Sequence, residues 1–261
     1  MRALRAAQTT LSDLYDVGVD HDVRDFWIDA EHAERASPGA RARREALLVR
    51  EDADGLAVGL FVAPDALAAL DEGGDPWSDG RFDDACLVTE GVSHWLYVLR
   101  RATAGDAVSA LELELQAEVD KWAAALLHGA LQGAGDPPAR VPREAAMSAE
   151  TTAVDGAGRI EAAPAWLAGH GVALVRARDA LAARCARVRR RLFQDAAFAD
   201  PAGTEAGDRY RTATRLAAGL TETLGARLRA SGDVRELIAA LRRFYRLGGR
   251  AKIEAAARAT A

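Results

Sequence analysis

The stretch Phe82–Leu99, FDDACLVTEGVSHWLYVL, decides the reading of this chain. Val88, Val92, Trp95, Leu96 and Leu99 recur at three- and four-residue steps and form the core face of a helix. The opposite side of a surface helix should be polar, yet here it carries Cys86, Leu87 and Tyr97. A helix that is apolar nearly all round is buried on most sides. Set into it are Glu90, Ser93 and His94, with Glu90 and His94 one turn apart on a common face. Gly91 costs about 1 kcal/mol relative to alanine in a helix interior, so its presence predicts close approach by another backbone.

A buried carboxylate needs a partner or a shifted pKa. The next helical segment contains LELELQAEVDKW (residues 111–122), which offers Glu112, Glu114, Glu118 and Asp120. Ser109 and Glu112 stand in capping-box register at its start. The link between the two segments is short, which predicts an antiparallel helix hairpin over residues 73–132. Such a hairpin brings Glu90, His94, Glu114 and Glu118 together. Three carboxylates and an imidazole suit a divalent transition metal such as iron, manganese or zinc, or a general acid and base pair. Against this, the spacing is Glu-x-x-x-His, not the Glu-x-x-His of ferritin-like di-metal proteins, and no second copy occurs. A structural polar network that fixes the helix pairing is the competing expectation.

Outward toward the N-terminus, residues 1–72 read as a mixed α/β unit. Leu14–Asp29 has Val, Phe, Trp and Ile among polar residues, which predicts one or two short strands. Glu45–Val49 and Leu56–Val62 flank a link ending in Asp54-Gly55, a hairpin signal. Ala63-Pro64-Asp65 then opens a short helix to about Asp71. For the helix beginning near Phe82, Asp79 or Ser78 is the expected cap.

Outward toward the C-terminus, residues 133–164 hold four prolines and no apolar period, and read as a linker or surface excursion. Residues 165–261 then carry three helical stripes over Gly171–Phe193, Asp208–Ala230 and Asp233–Leu247. The fold class expected is α+β, mostly α: a small N-terminal hairpin unit, a helix hairpin and a C-terminal helical bundle.

Composition narrows the function. The chain has 261 residues, 34 basic and 39 acidic groups and a formal charge of −5. Residues 165–261 hold 19 basic and 9 acidic groups, so residues 1–164 hold 15 and 30. Only Lys121 and Lys252 are lysines; the other basic residues are arginines. No apolar run approaches a membrane span, no secretory h-region follows the N-terminal arginines, and the two cysteines, Cys86 and Cys185, suit a reducing, cytoplasmic setting. There is no P-loop, no Gly-x-Gly-x-x-Gly and no His-Glu-x-x-His.

The arginine-rich C-terminal third therefore leads the functional expectation: a non-enzymatic interaction or assembly protein that docks an acidic protein surface. Its contacts would be Arg187, Arg191, Arg242, Arg243 and Arg246, with Tyr245 as a stacking anchor. Nucleic acid is an alternative partner, recognised by charge alone since no helix-turn-helix or RNA-binding signature is present. No cofactor is expected on that reading. The competing one is a metal-dependent or acid/base enzyme centred on Glu90, His94, Glu114 and Glu118.

Overall fold

The computed structural model describes residues 1–53, 55–132, 171–196, 198 and 200–260. The expected linker at 133–164 lies outside the described residues. The chain is mostly helical, with one two-stranded antiparallel sheet and ten α-helices among the described residues. In chain order these are α1 (Arg2–Tyr15), α2 (Ala30–Ala36), α3 (Ala40–Arg43), β1 (Glu45–Asp52), β2 (Gly55–Val62), α4 (Pro64–Asp71) and α5 (Phe82–Thr103). Then follow α6 (Ala110–Gln132), α7 (Gly171–Arg189), α8 (Glu205–Ser231), α9 (Val234–Arg246) and α10 (Gly249–Thr260).

The apolar, nearly all-round pattern of α5 is explained by its neighbours: α1, α4, α6 and both strands pack against it. Helix α6 runs antiparallel to it. Tyr97 meets Glu112, Ser93 meets Asp120 and Glu90 meets Lys121, so partners advance on one helix as they retreat on the other. The far side of α6 is covered by α7, α8 and α10. One apolar core runs through these elements, from Leu4 and Leu11 through Trp95, Leu115 and Trp122 to Leu220, Leu241 and Ala256. A smaller cluster of Ala33, Ala40, Ala46 and Phe61 seats α2 and α3 on the hairpin.

The hairpin pairs Glu45 with Val62 and Asp52 with Gly55, and Gly55 takes a φ of +127° that favours glycine at the turn. The strands extend a few residues further toward that turn than the apolar runs suggest.

The strands expected over Leu14–Asp29 are not formed. Helix α1 continues to Tyr15 and ends where Asp16 turns into the left-handed region. Asp22 then accepts the Arg24 N–H to cap a single 3-10 turn, Val23–Phe26, and Asp29 accepts the His32 N–H to cap α2. Aspartates that bond nearby backbone N–H groups break up an extended run, and capping wins over β propensity here. A lone parallel bridge from Trp27 to Leu60 is what remains of strand character.

Helix α5 has no side-chain cap; Arg81 occupies the capping position. Asp79 is drawn instead to Arg191, 3.3 Å away. At α6 the Ser109 hydroxyl accepts the Glu112 N–H at 3.2 Å, as the capping box requires. The Glu112 side chain does not return the bond. It turns inward and accepts the Tyr97 hydroxyl.

Candidate metal centre

Gly91 is where the hairpin reaches α5, through side chains and not through the close backbone approach expected there. A Cβ built there would lie 3.1 Å from Leu60 Cδ1 and Val62 Cγ2 and 3.3 Å from Glu45 Cγ. The bare helix surface therefore lets the start of β1 and end of β2 close onto α5, and it delivers Glu45 beside His94. Glu45 Oε1 lies 3.4 Å from His94 Nδ1. From α6, Glu114 Oε2 lies 3.7 Å from His94 Nε2. Glu90, His94 and Glu114 each offer a ligand atom, and these atoms all fall within 4.8 Å of one another.

Cations flank the group. Lys121 Nζ donates to Glu90 at 3.0 Å and to Glu118 at 2.9 Å. Arg209, in the first turns of α8, places Nε 3.7 Å from Glu114 Oε1. The cluster forms part of the wall of a cleft of about 800 Å³, alongside Cys86, Leu87, Leu113, Phe198 and Tyr210. His94 retains 6% exposure and Glu45 9%, yet His94 Nε2 and Glu45 Oε1 have no hydrogen-bond partner. Unpaired polar atoms at such depth are uncommon and call for an explanation.

Burial and neighbouring charge divide the titratable groups. Burial opposes charge on His94, but the carboxylates of Glu45, Glu114 and Glu90 outweigh it and push the imidazole up to about 9. Burial, with the charges of Glu90 and Glu45, lifts Glu114 to about 7 against His94 and Arg209. Burial also raises Glu118 despite Lys121. Burial would raise Glu90 too, but Lys121 and His94 reverse the direction and hold it ionised. Burial pushes the Cys86 thiol up, which leaves it protonated and a poor nucleophile.

Three of the four residues singled out from sequence thus converge. Glu118 sits one turn further along α6, held by Lys121. Glu45, Lys121, Arg209 and Tyr210 belong to the same cleft and were not anticipated there. Lys121 carried a signal, being one of two lysines in an arginine-rich chain.

A second polar cluster lies deeper and is sealed. Asp120 accepts from Ser93 and Gln116 at 2.6 Å and from the Tyr15 hydroxyl. Lys252 is fully buried, donates to Gln116 and sits 4.1 Å from the centre of the Tyr97 ring and 4.9 Å from that of Phe244. These groups satisfy one another and tie α1, α5, α6 and α10 together.

The arginines do not form one open face. Arg187, Arg243 and Arg246 are exposed. Arg191 reaches back to Asp79 and Asp83 and covers the Phe82 ring at 4.5 Å. Arg242 donates to the carbonyls of Leu14 at 2.7 Å and Asp13 at 2.9 Å. Tyr245 lies in the core instead of at the surface, stacked on Tyr15 with ring centres 4.0 Å apart. Its ring is the last apolar rung of α9, and burying it is worth more than presenting it to a partner.

No protein-family model, no curated protein and no solved structure matches this chain. Among the described residues no helix is long and apolar enough to cross a membrane.

Proposed function

We propose that the protein is an enzyme that works at a divalent transition metal held by Glu90, His94 and Glu114. The observation that carries this reading is the convergence of their three ligand atoms within 4.8 Å, with His94 Nε2 buried and without a hydrogen-bond partner beside the cleft.

Charge balance supports it. Counted formally, with every carboxylate ionised and His94 neutral as a metal ligand must be, Glu45, Glu90, Glu114 and Glu118 outnumber Lys121 and Arg209 by two charges. The raised value of His94 reflects that excess, while Glu114 is raised first by burial and only then by Glu90 and Glu45. A divalent cation neutralises the same excess. A ligand set of two carboxylates and one imidazole suits Mn²⁺, Fe²⁺ or Zn²⁺.

Each residue then has a distinct task. Nε2 of His94 is the ligand atom, and Glu45 on the Nδ1 side fixes the tautomer and the ring direction. Lys121 keeps Glu90 ionised and donates to Glu118 as well. A bound ion supplies Lewis acidity and an acidified water at neutral pH. Glu118, raised by burial and lining the same cleft, is the carboxyl outside the ligand group that would take up a proton. The arginine-rich C-terminal third is a weaker basis for function, because Arg191, Arg242 and Tyr245 are engaged within the chain.

Equilibrium dialysis of the full chain against Mn²⁺, Fe²⁺ and Zn²⁺ tests the proposal. One ion per chain is expected for at least one metal, with binding lost in His94→Ala and Glu114→Gln. Equal uptake by wild type and both variants would reject it.

A further inference from the structure

We infer that the substrate of this cleft carries an oxyanion, a carboxylate or a phosphate, and that Arg209 is the residue that grips it. The inference rests on the metal-site reading above and names the substrate class for it.

Three half-buried arginines of the C-terminal helices bond the chain itself. Arg189 donates to the Ala218 carbonyl at 2.7 Å and the Thr221 hydroxyl at 2.9 Å. Arg191 donates to Asp79 and Asp83, and Arg242 to two carbonyls of α1. Each spends its donors on the chain itself. Arg209 is unlike these three; it shares the lack of a side-chain hydrogen bond with Arg81 and Arg101, which face Glu72 and Asp106 and do not line the cleft. It keeps 25% of its side-chain exposure and has a buried Nε without a hydrogen-bond partner. Its contacts are the 3.7 Å approach to Glu114 and a loose one to the Tyr210 ring, 5.6 Å to the centre. Among the described residues it makes no hydrogen bond. A guanidinium holds five N–H donors in a planar fork, and that fork matches the paired oxygens of a carboxylate or phosphate.

Position supplies the rest. Glu114 turns Oε2 to His94 and Oε1 to Arg209, so one carboxylate lies between the ligand group and the guanidinium. An oxyanion entering the cleft beside a metal held by Glu90, His94 and Glu114 would come within reach of Arg209 as well. Lys121 cannot take this part, because Glu90 and Glu118 occupy it. Around the charged floor the cleft has Leu87, Leu113, Leu192 and Phe198, which fit an apolar body attached to the anionic end.

Calorimetry on the full chain loaded with Mn²⁺ tests this, with inorganic phosphate in one arm and benzoate in the other at fixed ionic strength. Binding of at least one anion is expected, and the arm that binds names its source. Arg209→Gln should weaken that binding by about tenfold or more, the worth of a lost charge-assisted pair. Its Mn²⁺ affinity should be unchanged or tighter, since a positive charge beside the ion has been removed. Arg209→Lys should recover part of the anion affinity. Retained Mn²⁺ binding shows that each variant is folded. Mn²⁺ binding without either anion, or equal anion binding by wild type and Arg209→Gln, overturns the inference and leaves the metal site standing. Failure to bind Mn²⁺ at all overturns both.

Discussion

Lys121 donates to Glu90 at 3.0 Å across the interface between α5 and α6, and both side chains lie largely out of water. Removing one member of a buried pair leaves the other charge uncompensated, at a cost of about 3–5 kcal/mol. Lys121→Met should therefore lower the stability of the chain by that order, read from the urea midpoint. Adding Glu90→Gln should recover part of the loss. A single variant as stable as wild type would mean that the pair contributes nothing.

On the metal-site proposal, Glu45 would position His94 through its 3.4 Å contact with Nδ1. Outer partners of a metal-bound imidazole are typically worth about 10–100-fold in metal affinity. Glu45→Gln should weaken Mn²⁺ binding by that order while keeping one ion per chain, whereas Glu114→Gln should abolish it. Competition against a chelating dye distinguishes the two. Unchanged affinity in Glu45→Gln would remove Glu45 from the site.

Lys252 makes stability depend on pH. Burial, aided by the Arg101 charge, pulls its ammonium down to about 7 against Asp120 and Glu112. Between that value and the ordinary lysine value the unfolded chain holds this proton more often than the folded one. Stability from this group therefore rises with pH from about 7 toward 10.5 and falls as pH drops back through the window. The difference in melting temperature between wild type and Lys252→Met should shift in favour of wild type from pH 7 to pH 10. A constant difference would show that the amine is not held below its usual value.

Arg242 and Arg243 are neighbours in sequence with opposite fates. Arg242 caps the last carbonyls of α1, while Arg243 points to solvent. Arg242→Ala should cost about 1.5–3 kcal/mol, as expected for charge-assisted hydrogen bonds. Arg243→Ala should stay within about 0.5 kcal/mol, as exposed positions do. Chemical denaturation of the two variants side by side checks both values.

What the sequence reveals here depends on the range of the forces involved. The hairpin is legible because Asp54-Gly55 is a local signal, and the α5–α6 pair because its apolar spacing is dense. The same spacing groups Glu90, His94 and Glu114, since helical periodicity and one short link determine their placement. Leu14–Asp29 misleads because Asp22 and Asp29 compete as caps, which β propensity does not register. Glu45 and Arg209 are invisible for another reason. One arrives on a strand and the other on a helix more than a hundred residues beyond α5, so only tertiary packing brings them to His94. Tyr245 could read as either a core or a surface residue, and its stacking on Tyr15 decides for the core.

The missing side chain at position 91 ties two levels of organisation together. Because side chains of β1 and β2 rest on bare helix backbone there, the Nδ1 side of the imidazole has Glu45 beside it only with the hairpin docked. A metal centre at His94 would therefore need the docked hairpin as well as the helix pair, and metal uptake would report on whether the two are joined.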